Sequence, residues 1–585
     1  MVWELLGHIR CDCAVGTCYH YSPEKNKIAF TSSHFSSFVL KFATDSRKFM
    51  ALSRFKLAEF RSGDIQQISD VGWRAFYVLL GVVIMRNLVV WTYRLFFHPL
   101  ARYPGPLFAK VSDFYGAYHN ARGQLHIESE KGHRRYGTFL RQGPNKLIVN
   151  SLDGLQDLYF SKNVHKSFGY ETMLPAPGAY NVFTAIDKDL HKFKRKVLSQ
   201  GFADSTVRSF EPTILNHIDI FVQNLKDSAA GPDDEGWSTP VNMTERCRYF
   251  GYDVMGEFGF GQSFELQKSS KNHFLIEAVE ATSKKAGVYV QYPNLRKLKL
   301  ETIFARRTAL MREKFLKLMA SLVQTRLSEE KSSHNDLFAF AIDAKDPNTG
   351  KGFSESELWA ESRFLLIAGA DTSSTALTAV FFYLSRNKAC YEKLQAEIQR
   401  NFTSISEIQT GRELAQCHYL RACIDESMRM SPPISSTLWR EVTAPEGVWI
   451  DGEHIPQGVD LGVSPYAFHH NEDVFPDSYT FKPERWLESP GNSKEAIEKA
   501  RAAFSPFSVG SRACAGRTMA YTEVSDVVAR TLWSLELKPA DGELGMIGGG
   551  IEGLEDGFNR VKEFQLKDHI TCCHNGPYLQ FRLRK

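Results

Sequence analysis

From Ser354 to about Asn387 the chain runs without a proline or a clear helix stop. Ser354 and Glu357 stand three residues apart at its start, the capping-box pattern in which each side chain accepts from the other's backbone N–H. At ~1.5 Å per residue the run spans roughly 50 Å. Apolar residues lie almost all round its middle, so the pattern predicts a helix that crosses the interior of a domain. The chain around it, from about residue 110 to the end, reads as one large and mainly helical domain. Short β-like runs occur at Leu147–Asn150 and Tyr578–Arg582, and surface loops are expected at 229–236 and 345–350.

Within that helix, Ala368-Gly-Ala-Asp-Thr-Ser373 gathers residues that are poor in helix interiors. Their side chains compete with the backbone for hydrogen bonds, so a local distortion of the kind found at functional sites is expected there. A second segment is more specific. Phe507-Ser-Val-Gly-Ser-Arg-Ala-Cys-Ala-Gly516 sets Cys514 in a glycine-punctuated loop directly before an apolar helix-forming run, Arg517–Leu535. A thiolate there gains from the positive end of the helix dipole and from nearby Arg512. Gly510 and Gly516 allow turns and close approach that a Cβ would obstruct. Such a loop suits the presentation of a sulfur anion to a large flat partner, and haem iron is the natural candidate.

The segment 507–516 matches F-x-x-G-x-R-x-C-x-G, and on it the chain resembles the cytochrome P450 superfamily. The resemblance implies a mainly α fold with small β-sheets. In it, haem lies between the long central helix and the loop carrying the axial ligand Cys514. It also makes Ala368–Thr372 the family's A-G-x-D-T segment, with Thr372 orienting dioxygen and an ordered water and Asp371 feeding protons. Glu426 and Arg429 stand at i,i+3 on one helix face, and Pro432-Pro433 follows promptly. With Arg485 in Pro483-Glu-Arg-Trp486, the resemblance makes them a buried structural cluster. Haem contacts are expected from Phe507 and, at the propionates, from Arg512, Arg440, Arg195 and His191; many relatives carry Trp where His191 stands. Substrate is expected between 167–185, Phe364–Ala368 and Ile434–Leu438.

Ala75–Tyr93 is apolar apart from Arg86. Its length nearly spans a hydrocarbon core of roughly 30 Å. Arg94, Arg102 and Lys110 follow, placing that side in the cytosol by the positive-inside bias. Phe97–Pro106 looks like the linker of membrane-anchored fungal members of the family. The expected layout is an atypical, poorly ordered extension over 1–70, a transmembrane anchor over 71–95, a proline-rich hinge over 96–110 and a catalytic domain over 111–585. Cys11, Cys13, Cys18 and His20 fit no zinc spacing closely. The net charge of +4 without a dense basic run argues against nucleic acid, and ten scattered cysteines favour a reducing compartment.

The resulting expectation is a single-pass protein of the endoplasmic reticulum membrane. It would carry haem b and oxidise a lipophilic small molecule in fungal secondary metabolism. No dinucleotide fingerprint is present, so electrons are expected from NADPH through a separate reductase, with cytochrome b5 as a second possible donor. A basic helix face at Lys192, Lys194 and Lys196 would suit docking of an acidic flavoprotein. Two other readings stay open: oxygen-independent isomerase or dehydratase chemistry on the same fold, and a non-enzymatic haem-binding membrane protein.

Overall fold

A computed structural model describes residues 62–229, 236–298, 306–328, 337–342, 344–345, 350 and 352–584. The Cys11–His20 cluster and most of the two expected surface loops lie outside these residues. The chain divides into two units, one ending at Val89 and the other beginning at Val90.

The N-terminal helix runs Ser62–Thr92 and passes into a short π-turn, Tyr93–Phe97. Its start lies inside the stretch expected to be a poorly ordered extension. No proline interrupts 62–75, and adding residues to an established helix is far easier than nucleating one. Gly72–Phe97 has mean hydropathy 1.8, and none of it is buried in protein. An apolar helix of this length that the described residues do not bury is suited to lipid. Pro99 lacks the N–H needed to continue it, and the turn closes through His98 N–H donating to the Tyr93 carbonyl (2.8 Å).

In the second unit the central helix spans Glu355–Arg386, with the Ser354/Glu357 capping box formed as expected. By composition it too could cross a membrane, but 67% of its apolar window is buried. It therefore belongs to the protein core. It packs against Met243–Phe260 through small residues on both helices. A Cβ on Gly251 would stand 2.9 Å from the Ala370 carbonyl, and one on Gly369 would strike the Met255 side chain. Phe221, Phe250, Phe381 and Phe382 fill the core around this crossing. The expected distortion at 368–373 is absent. Thr372, Ser374 and Thr375 instead return their hydroxyls to the carbonyls four residues back, and the helix continues.

The sheets are small. Five strands lie in the spatial order Phe139–Gly143, Lys146–Val149, Asp460–Gly462, Arg440–Val442 and Val164–Lys166. The last two run antiparallel with Lys166 opposite Arg440, so two cations stand side by side. A second sheet joins Val241–Asn242, Tyr578–Leu583 and Leu535–Pro539. Both β-like runs foreseen from the sequence fall in these sheets.

Candidate active site

Cys514 ends a loop held by its own backbone. Its N–H donates to the Phe507 carbonyl (2.8 Å), and Ala513 N–H donates to Gly510 (3.1 Å). Gly510 takes φ +76° against the Tyr159 carbonyl, where a side chain would collide. The helix Arg517–Ser534 follows, as expected. Cys514 opens onto a cavity of about 410 Å³ and is otherwise surrounded by protein. Burial pushes its thiol up, while the Gly516 backbone, Arg195 and Arg517 favour the thiolate. Those two arginines, not Arg512, are the cations that act on the sulfur. Arg195 reaches round to the Ala513 carbonyl. Arg512 donates to the carbonyls of Ala185 (2.7 Å) and Ile186 (3.0 Å).

The cavity wall also includes Arg512, Arg440, Arg195, His191 and Phe507. Sequence reasoning missed Lys166, which had no motif around it. Lys166 is buried, with its Nζ 3.3 Å from the Phe183 ring centre and 4.1 Å from that of Tyr170. Burial, then Arg440 and Arg512, hold its ammonium well below the ordinary lysine range. Burial and the surrounding cations lower His191 to about 3, so the ring is neutral. Among the described residues no carboxylate forms an ion pair with Lys166, Arg440 or Arg512, and Asp187 acts on Arg512 only from a distance. A cluster of buried cations without a counter-ion calls for an anionic ligand. Together with a sulfur opening onto the same cavity, it fits a haem whose propionates meet these groups.

Thr372 faces the cavity, its Oγ1 donating to the Ala368 carbonyl at 2.6 Å. Asp371 turns away. It accepts from Tyr252 Oη (2.7 Å) and Thr571 Oγ1 (2.8 Å), and burial raises its carboxyl against the opposing pull of Arg248. Thr571 itself lines the cavity, and Ser283 Oγ stands 2.9 Å from its hydroxyl. The connection between Asp371 and the cavity therefore passes through Thr571, a residue 200 positions away that carried no local signal. Glu523 is a second acid that sequence reasoning missed. It is buried on the helix after Cys514, lines the cavity and is raised to about 7 by burial, with Ser373 as its hydrogen-bonding neighbour. A charged residue inside the apolar run after Cys514 was the available clue.

The structure brings Glu426, Arg429 and Arg485 together. Glu426 is fully buried and accepts from Arg429 Nε and Nη2 (both 2.9 Å), Trp486 Nε1 (3.0 Å), Lys482 N–H (3.1 Å) and Arg485 Nε (3.5 Å). On the basic helix, Lys188, Lys192 and Lys196 are exposed beside Arg195 and Arg512. Lys194 is not part of that face. It is fully buried, 2.9 Å from Glu357 and 3.3 Å from Glu361, and fastens this helix to the central one.

The sequence matches the family model for cytochrome P450 over residues 106–547. It is 36% identical over 497 residues to cytochrome P450 monooxygenase AKT7 of Alternaria alternata, covering 84% of this chain and 94% of that protein. Cytochrome P450 monooxygenase apf7 of Gibberella fujikuroi is 35% identical over 526 residues, 86% of this chain and 97% of the relative. Cytochrome P450 monooxygenase atnE of Emericella nidulans is 34% identical over 518 residues, with 87% and 97% covered. The chain belongs to the cytochrome P450 family. It is a monooxygenase, and the family implies haem, a small-molecule substrate and electrons from a redox partner.

Proposed function

We propose that this protein is a membrane-anchored tailoring monooxygenase of fungal secondary metabolism, with Cys514 as the axial thiolate of its haem. The observation that carries the assignment is the shared cavity, with Cys514 on one wall and, at its side, Lys166, Arg440 and Arg512, none of which is ion-paired to a carboxylate among the described residues. Bound haem supplies dioxygen activation, and axial thiolate favours O–O cleavage. Arg195 and Arg517 favour the thiolate against the burial that disfavours it. Lys166, Arg440 and Arg512, with His191 as a neutral donor, would hold the propionates. Thr372 holds dioxygen and water in place, and Asp371 delivers protons to the cavity through the Thr571 hydroxyl. Glu426, Arg429 and Arg485 keep the cysteine side rigid.

The exposed Lys188, Lys192 and Lys196 beside the cysteine loop suit an acidic electron donor, NADPH-dependent reductase first and cytochrome b5 second. The helix Gly72–Phe97 supports a single-pass anchor in the endoplasmic reticulum membrane with the catalytic unit in the cytosol. The test is Cys514→Ser in full-length, haem-loaded protein. The red-shifted Soret band of the reduced carbon-monoxide complex is expected to disappear. A thiolate-type band that survives the substitution would reject the ligand assignment.

A further inference from the structure

A second group of cations lines the same cavity away from the propionate cluster. Arg363 lies in the first third of the central helix, and Arg312 is its charged neighbour on the helix Arg306–Ser328. Burial, followed by repulsion from Arg312, lowers Arg363 to about 10, so it remains charged at neutral pH. Among the described residues its guanidinium has no hydrogen bond and no carboxylate partner, and it lies 5.7 Å from the centre of the Trp359 ring. Among the described residues the only acidic side chain on the cavity wall is Glu523, which sits beside Ser373. A half-buried arginine next to another arginine is an unfavourable arrangement until an anion joins it. Beyond it the wall turns apolar, with Phe183 and Phe364 stacked at 5.3 Å.

We propose, building on the monooxygenase reading, that the substrate is a lipophilic carboxylic acid whose carboxylate is paired by Arg363 and Arg312. The planar Arg363 guanidinium matches a single carboxylate held by two parallel N–H bonds, and Arg312, Arg296 and Lys285 add positive charge to the same wall. The placement also sets regiochemistry. Arg363 lies nine positions before Thr372, an axial separation of ~13 Å, and helical side chains lean toward the N-terminus, which lengthens it. The oxidised carbon therefore lies far along the chain from the carboxylate, and the product keeps its free acid.

The probes are dodecanoate and its methyl ester, titrated calorimetrically into full-length, haem-loaded protein at neutral pH. Wild type is expected to bind the acid about tenfold or more tightly than the ester. Arg363→Gln should weaken the acid alone and erase the difference, whereas Arg363→Lys should keep part of it, because a point charge lacks the guanidinium fork. An unchanged melt and carbon-monoxide spectrum in Arg363→Gln would exclude misfolding as the cause. Equal affinities in wild type, no binding of either probe, or a preference that survives Arg363→Gln would overturn the proposal. The titration uses neither oxygen nor electrons. Acid preference without a thiolate-type spectrum would reject the monooxygenase reading alone, and turnover without acid preference would reject this one alone.

Discussion

Replacing Glu426 by Leu should expose how much of the fold depends on one buried carboxylate. Glu426 is fully buried and accepts from four residues at once. Without it, Arg429 keeps only the bond from Nη1 to the His469 carbonyl (2.8 Å), in a site with no solvent. Breaking a buried pair by removing one partner costs about 3–5 kcal/mol, because the remaining charge is left uncompensated. Unfolding entropy near 2.1 cal/mol/K per residue gives ~1 kcal/mol/K for a unit of about 500 residues. The melting midpoint of the haem-loaded, full-length protein should therefore fall by about 3–5 °C, followed by far-UV circular dichroism at one scan rate. The double variant Glu426→Leu/Arg429→Met removes both charges and is expected to recover more than half of that loss. A single-variant shift below about 1 °C would refute the reasoning. So would a double variant as unstable as the sum of the two singles.

Thr372→Ala should leave the carbon-monoxide spectrum intact while electrons go to peroxide; product per NADPH is expected to fall at least about tenfold. Unchanged coupling would remove Thr372 from proton handling. Glu523→Gln tests a pH effect with a definite sign. Burial raises the Glu523 carboxyl from 4.5 to about 7, so its contribution is full below the unfolded value and is lost as pH rises through about 7. Wild type should lose up to about 3 kcal/mol relative to the Gln variant between acidic and mildly alkaline pH. Parallel stability profiles would show that Glu523 ionises normally. The Cys514 and Arg363 variants described above complete the set.

Much of the site was legible because its signals are local. The capping box at Ser354 and Glu357 formed as written, and Pro432-Pro433 follows a helix that ends at Met430. The Cys514 loop depends on a few adjacent residues, with Gly510 required where the backbone takes positive φ against Tyr159. Other signals were local but incomplete. Spacing alone put Lys194 on a basic face with Lys192 and Lys196, yet only the packing of two helices shows Glu357 and Glu361 waiting for it. The polar residues at 368–373 suggested a local distortion. The hydroxyls of Thr372 and of the following Ser374 and Thr375 instead found carbonyls one turn back, which keeps a buried polar helix satisfied without one.

By itself, then, the sequence determined the Cys514 loop, the long interior helix, the apolar N-terminal segment and the family they imply. Each is written in residues that are neighbours along the chain, where capping, turn chemistry and hydrophobic length act directly. Tertiary structure alone decided which charges meet. It set Lys166 beside Arg440 across two strands separated by 274 positions in sequence, joined Asp371 to the cavity through Thr571, and left Arg363 facing that cavity with no carboxylate partner among the described residues. Charge pairing depends on distance and burial in space, and neither is fixed until the chain has packed.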